Sequence, residues 1–332
     1  MVEALVVAEE KTEKAQASKL PLAVLLLGPT ASGKTALSLA LGERFQGEII
    51  SCDSVAVYRG LDLGSAKPSR EEQARLPHHL IDVADPSTEF TAGEYARQGR
   101  HALRQIAARN HLPIVTGGTG LYLRALTEGL FAGPQRDEAL RERLRQTGER
   151  RGGDWLHRIL TRIDPASAER IHANDTPKLI RAIEVRFAGG KRLSEAFNEG
   201  EHPGRDPLTG FRLLRIGLNP PRAAHYERIN ARAAAMFANG PTANIVEETR
   251  NLLAKYGRVR ALDALGYRQA TAILDGAMTE PAAIAAAQQG HRNYAKRQGT
   301  WFRRESDVHW IADFGDTAAA REEAIRITES LL

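Results

Sequence analysis

Gly28, Pro29, Thr30, Ala31, Ser32, Gly33, Lys34 and Thr35 fit the pattern G-x-x-x-x-G-K-[ST], and they carry the clearest chemistry in the chain. Glycines let backbone N–H groups converge on phosphate oxygens, the start of a helix adds partial positive charge, and a lysine at this place supplies a full one. Thr35 is the residue type that ligates Mg²⁺ in such a loop. The run AVLLL at 23–27 reads as a buried strand, and residues 34–45 space their apolar side chains as a helix does. That is the strand, loop and helix context the motif requires. Such a loop recognises a pyrophosphate group and does not read adenosine, so ATP and other diphosphate esters all remain candidates. A nucleoside triphosphatase would normally also end a strand in Asp to hold the metal. Here the strand at 113–116 runs PIVT into Gly117 and Gly118.

These residues need a frame to position them. Strand 23–27, helix 34–45, strand 48–52, helix 92–109 and strand 113–116 give the order β-α-β-α-β. This predicts an α/β fold: a parallel sheet like that of P-loop NTPases, flanked by helices and joined by right-handed crossovers. Asp53 then falls at the carboxyl edge of the sheet near the phosphate loop, where open α/β sheets hold ligands. From 129 to 205 the sequence turns rich in Arg and Glu with helical spacing and closes on NEGEHPGRDPLTG, which reads as a helical insertion domain. A strand returns at 211–218, helices fill 222–304, and a last strand and helix occupy 308–332. The catalytic core is therefore expected over 21–128 and 206–332, with residues 1–20 a frayed, disordered extension.

Composition excludes several classes. The 332 residues are 42% hydrophobic and 26% charged, the balance of a soluble globular enzyme, and the net charge of +5 leans toward a polyanionic partner. The longest apolar run, about five residues before Gly28, is far short of the ~20 that cross a bilayer. One cysteine, Cys52, rules out an intramolecular disulfide and a multi-cysteine zinc site, and fits a reducing cytoplasm. Cys52 reads as core, Trp155 and Trp310 as packing, and His78 and His79 as turn or surface residues rather than metal ligands. Residues 288–305 set Arg292, Lys296, Arg297, Arg303 and Arg304 among Tyr294, Trp301 and Phe302. Cations beside rings suit an RNA loop; the same pattern also fits a solvated basic face over buried aromatics.

Beyond the phosphate loop come D-S-x-x-x-Y-R-G-x-D-x-G-[ST]-A-K-P at 53–68, GGT-x-x-Y at 117–122, HANDTPKLIRAIEV at 172–185, LGYRQ at 265–269 and AKRQGTWFRR at 295–304. In this order, over roughly residues 22–310, they resemble the bacterial tRNA dimethylallyltransferases. The resemblance implies transfer of a dimethylallyl group from dimethylallyl diphosphate to N6 of the adenosine at position 37 of tRNA. The loop would then hold that diphosphate with Mg²⁺, although the family is often labelled nucleotide- and ATP-binding. Asp53 would be the base that takes the N6 proton, Thr119 would donate to the bridging oxygen, and Arg228, within HYERINAR, would meet the diphosphate.

The resemblance also implies tRNA contacts in four segments, with the insertion domain contributing one of them. They are Asp53, Ser54, Val55 and Ala56; Pro177, Lys178, Leu179, Ile180 and Arg181; Asp263, Ala264, Leu265, Gly266, Tyr267 and Arg268; and Lys296, Arg297, Gln298, Gly299, Thr300, Trp301, Phe302 and Arg303. It implies a cytoplasmic enzyme that is mostly monomeric, with the tRNA anticodon stem-loop as partner. Three departures stand out: Ala56 where many members carry a longer side chain, Asp263 where an arginine is common, and the Pro-Thr-Ala-Asn segment within ANGPTANIVEETRNLL.

Overall fold

The computed structural model describes residues 20–130, 133–134, 136–152, 154–198, 206–238 and 244–332. The extension expected over the first nineteen residues lies outside the described residues. The chain divides into two compact units, one of residues up to 127 together with 208–332, the other of residues 128–207. The first half of the larger unit holds β1 (Leu22–Leu27), α1 (Lys34–Arg44), β2 (Gly47–Cys52), α2 (Arg70–Arg75), β3 (His78–His79), α3 (Ala92–Ala108), β4 (Leu112–Gly117) and α4 (Gly120–Thr127). The smaller unit is α5 (Glu138–Arg151), α6 (Trp155–Ile163), α7 (Pro165–Arg170), α8 (Thr176–Gly189) and α9 (Leu193–Asn198). The larger unit resumes with β5 (Arg212–Leu218), α10 (Arg222–Ala235), α11 (Ile245–Tyr256), α12 (Tyr267–Leu274), α13 (Glu280–Phe302), β6 (Val308–Ile311) and α14 (Ala318–Glu329).

The six strands form one parallel sheet in the order β3-β2-β4-β1-β5-β6. Both faces of β1 are covered. Val24 and Leu26 pack with Leu37, Leu41 and Ile216, while Leu25 and Leu27 pack with Tyr95, Leu103 and Ile106. A strand buried on both sides reads as an unbroken apolar run, which is why LAVLLL shows no alternation. Strand order reverses about β1, so the crevice for a ligand opens at its carboxyl end, where the phosphate loop begins.

The histidine pair departs from expectation. His78 and His79 form the edge strand β3, in register with Ile49 and Ile50. Two residues cannot display a period, so no pattern announces them. His79 is fixed by Glu48, whose buried carboxylate also takes hydrogen bonds from Arg109 and His111 at 2.7–3.0 Å. This cluster fastens the edge of the sheet at the start of β2.

The helical unit has its own core of Leu144, Leu156, Leu160, Leu179 and Ile183, with Trp155 packed against it. Trp310 lies against Gly217 in β5 and keeps two fifths of its surface exposed. Among the described residues no helix is long and apolar enough to cross a membrane.

Candidate active site

A cavity of about 500 Å³ opens at the carboxyl ends of the strands, and Thr30, Lys34, Thr35, Asp53, Arg228 and Arg232 are among its lining residues. Gly33 sits in the left-handed region at φ 89° as α1 begins, and no side chain caps that helix. Its first N–H groups are therefore left for an anion. Lys34 Nζ donates to the carbonyls of Gly28 and Pro29 at 2.9 and 2.8 Å, curling back over the loop. Burial and the neighbouring Arg232 push its pKa down to about 7, against an opposing pull from Asp53. Thr30 is tied at every polar group. Its N–H donates to Gln298 Oε1 at 2.8 Å, its carbonyl meets His225 Nε2 at 2.8 Å, and its hydroxyl accepts from Arg232 at 2.6 Å.

Asp53 follows the last residue of β2. Its Oδ1 accepts from the N–H groups of Val55 and Ala56 at 2.8 and 3.2 Å, which fixes the carboxylate while it lines the cavity. Thr119, at the end of β4, does not face a free site in this arrangement: its hydroxyl accepts from Ser54 N–H at 3.0 Å and lies 3.3 Å from Ser54 Oγ. It therefore pins the loop that carries Asp53. The glycine two residues earlier is required, because a Cβ on Gly117 would lie 2.1 Å from the Cys52 carbonyl oxygen. Cys52 is core, as its place in the strand suggests, and burial raises its thiol to about 12.

Arg228 lines the cavity, but its guanidinium is committed to Asp316 at 2.8 Å to each carboxylate oxygen and lies over the Phe314 ring. Arg232, one helical turn on, reaches the phosphate loop directly. Sequence reading passed over Arg232, although four-residue spacing puts both arginines on one face of α10. It also passed over Asp316, which no motif signals.

The motif at 53–68 is largely scaffolding. Lys67 is buried and donates to the Tyr58 carbonyl, Asp62 and Asp82 at 2.6–2.7 Å. Gly64 leaves room for the Tyr267 ring, which would lie 2.3 Å from a Cβ, and Gly64 N–H donates to the Tyr267 hydroxyl at 3.1 Å. Tyr267 in turn donates to Glu248 at 2.5 Å. The two motifs GSAKP and LGYRQ thus meet through one tyrosine.

The expected tRNA segments sort by burial. Lys178, Asp263, Arg268, Lys296, Arg297, Thr300 and Arg303 are exposed, as is Pro177. Leu179, Ile180, Tyr267 and Phe302 are buried, so their side chains cannot meet a nucleic acid in this arrangement; Gln298 is buried too, at the wall of the cavity. Phe302 belongs to the core under the sheet, and Trp301 is partly buried beside Gly120 with Arg124 over its ring at 4.5 Å. The rings expected to stack on bases are therefore mostly spent on packing, because a 23-residue helix turns one side into the core. Tyr294 differs: it lines the cavity, with Arg297 over its ring at 5.7 Å. Lys178 pairs with Asp175, and Arg181 donates to the Pro134 carbonyl and to Glu184, all within the helical unit. Ala56 is buried, lines the cavity and holds Asp53 through its N–H. Pro241 to Ala243 lie outside the described residues, while Asn244 caps α11 by accepting from Val246 and Glu247 N–H.

A family model described as IPP transferase matches residues 56–305. A tRNA dimethylallyltransferase of Koribacter versatilis is 61% identical over 311 residues, covering 93% of this chain and 99% of that one. One from Solibacter usitatus is 49% identical over 308 residues, covering 92% and 97%. Among solved structures, a full-length tRNA isopentenylpyrophosphate transferase from Bacillus halodurans superposes with a TM-score of 0.67 at 34% identity, covering 93% of this chain and 96% of that one. With the phosphate loop, Asp53 and the GGT strand end gathered at one cavity, these similarities show that the chain belongs to the tRNA dimethylallyltransferase family.

Proposed function

We propose that this chain is a prenyltransferase acting on tRNA, moving the dimethylallyl group of dimethylallyl diphosphate to N6 of the adenosine at position 37. The observation that carries this reading is one cavity lined both by a phosphate loop and by a carboxylate held for proton transfer, Asp53. The exocyclic amine of adenine is a weak nucleophile because its lone pair is delocalised into the ring. As N6 bonds to the allylic carbon and the carbon–oxygen bond to diphosphate breaks, Asp53 takes the N6 proton and the diphosphate leaves with the electron pair. Lys34, Arg232 and the N–H groups opening α1 neutralise the charge that grows on the leaving group. Arg228 joins them once it exchanges Asp316 for the diphosphate, and Thr119, through Ser54, keeps Asp53 in place. The adenosine must leave the anticodon-loop stack to reach this cavity.

Thr35 lines the cavity, and no cluster of three His, Cys, Asp or Glu side chains suited to a metal occurs among the described residues. Mg²⁺ therefore fits as an ion held by the Thr35 hydroxyl and mainly by the diphosphate itself, where it would screen the leaving charge. The enzyme would act as a cytoplasmic monomer. Incubation with Mg²⁺, dimethylallyl diphosphate and an anticodon stem-loop bearing three consecutive adenosines, followed by digestion to nucleosides, tests the assignment. N6-(dimethylallyl)adenosine should form, and should vanish when the central adenosine is replaced. Product that persists after that replacement would reject position 37 as the target.

A further inference from the structure

The inner face of α13 carries Ala287, His291, Ala295, Gln298 and Phe302, and only Gln298 turns a hydrogen-bonding amide onto the site. Its Oε1 accepts from Thr30 N–H at 2.8 Å and its Nε2 donates to the Gly118 carbonyl at 2.9 Å, with the residue 5% exposed. The amide has one orientation here, because a flip would set donor against donor and acceptor against acceptor. We propose that Gln298 is a positioning residue for the phosphate loop, fixing the Thr30 limb in the shape that receives a diphosphate, and is not a tRNA contact. This inference rests on the diphosphate reading above.

Lys34 and Arg232 are like charges crowded about one loop, and each depresses the ease of charging in that neighbourhood. Thr30 is held by three anchors: His225 on its carbonyl, Arg232 on its hydroxyl and Gln298 on its N–H. His225 and Arg232 both come from α10; Gln298 alone brings α13 and the end of β4 to the loop. A loop already in its bound shape loses less freedom when the diphosphate arrives, so the anchor acts on affinity for that substrate. The exposed side of the same helix, with Lys296, Arg297, Thr300 and Arg303, is left to meet RNA.

Gln298→Met keeps the side-chain volume and removes both hydrogen bonds. Calorimetry with inorganic pyrophosphate and Mg²⁺, beside fluorescence binding of the anticodon stem-loop, separates the two roles. The expected result is a Kd for pyrophosphate weakened by about tenfold, a KM for dimethylallyl diphosphate raised alike, and an unchanged Kd for the stem-loop. Unchanged pyrophosphate binding, or weakened stem-loop binding alone, would overturn the proposal. Should Gln298→Met not fold, Gly118→Ala reports in its place, since its Cβ would lie 2.0 Å from Gln298 Nε2 and displace the amide. A wild-type protein that binds no pyrophosphate would instead bring down the diphosphate reading itself, and this inference with it.

Discussion

Residue by residue, the proposed reaction draws on a carboxylate and a cluster of cations that line one cavity. Asp53 is held through Oδ1 by two N–H groups, and Asp53→Ala should lower the single-turnover rate by ~10²- to 10⁴-fold, the usual worth of general-base assistance. Stem-loop affinity, measured separately, should stay at the wild-type value, and a wild-type rate would remove Asp53 from the mechanism. Lys34 makes a second prediction. Burial and Arg232 bring its pKa to about 7, and an arriving diphosphate raises it. Binding at about pH 8 should therefore take up a proton, whereas binding at about pH 6, with Lys34 already charged, should not. Calorimetry in two buffers of different ionisation enthalpy reads this directly; equal heats in both at the higher pH would refute it. These roles were legible from spacing only in part. The loop motif names Lys34 because its chemistry is local in sequence, whereas Arg232 and Asp316 reach the cavity through the fold and carry no motif.

Among the elements, the parallel sheet was readable because both faces of its central strands are buried, giving apolar runs too strong to mistake. Strand β3 was not, since two histidines show no period and are ordered by a partner far along the chain, Glu48. That cluster fixes a pH dependence. Burial pushes the Glu48 carboxyl up, but hydrogen bonds from His79, Arg109 and His111 outweigh it and bring the pKa from 4.5 to about 2. The folded state thus binds the proton more weakly than the unfolded one. Its contribution, about 3 kcal/mol, is complete above pH 4.5 and is lost as pH falls toward about 2. Urea midpoints across that window should fall more steeply for wild type than for Glu48→Gln, which should be less stable at neutral pH. Parallel acid limbs for the two proteins would contradict this account. Helix α13 shows the opposite limit of sequence reading. Its basic and aromatic residues look like one RNA-facing set, yet helical geometry sends Gln298 and Phe302 inward and leaves Lys296, Arg297 and Arg303 outside.

For the whole molecule, the sheet gathers residues from distant parts of the chain at one edge: the phosphate loop after β1, Asp53 after β2, Gly117 and Gly118 at β4, and the arginines of α10. The ordered series of motifs gave the family, but not the division of labour within it. Within 53–68 the chemistry falls to Asp53 at the cavity, while Lys67 and Gly64, with Tyr267 of the 265–269 motif, hold the frame around it. The net charge of +5 is modest for a protein that binds a polyanion, so the outer face of α13 carries more weight than the total. In the proposed reaction the phosphates in the loop belong to an isoprenoid. The most direct test incubates the protein with Mg²⁺, labelled dimethylallyl diphosphate and the three-adenosine stem-loop, with every nucleoside triphosphate omitted. Label passing into the RNA at full rate, unchanged when ATP is restored, is the predicted result; no transfer without ATP, or ATP turnover in its place, would contradict the account.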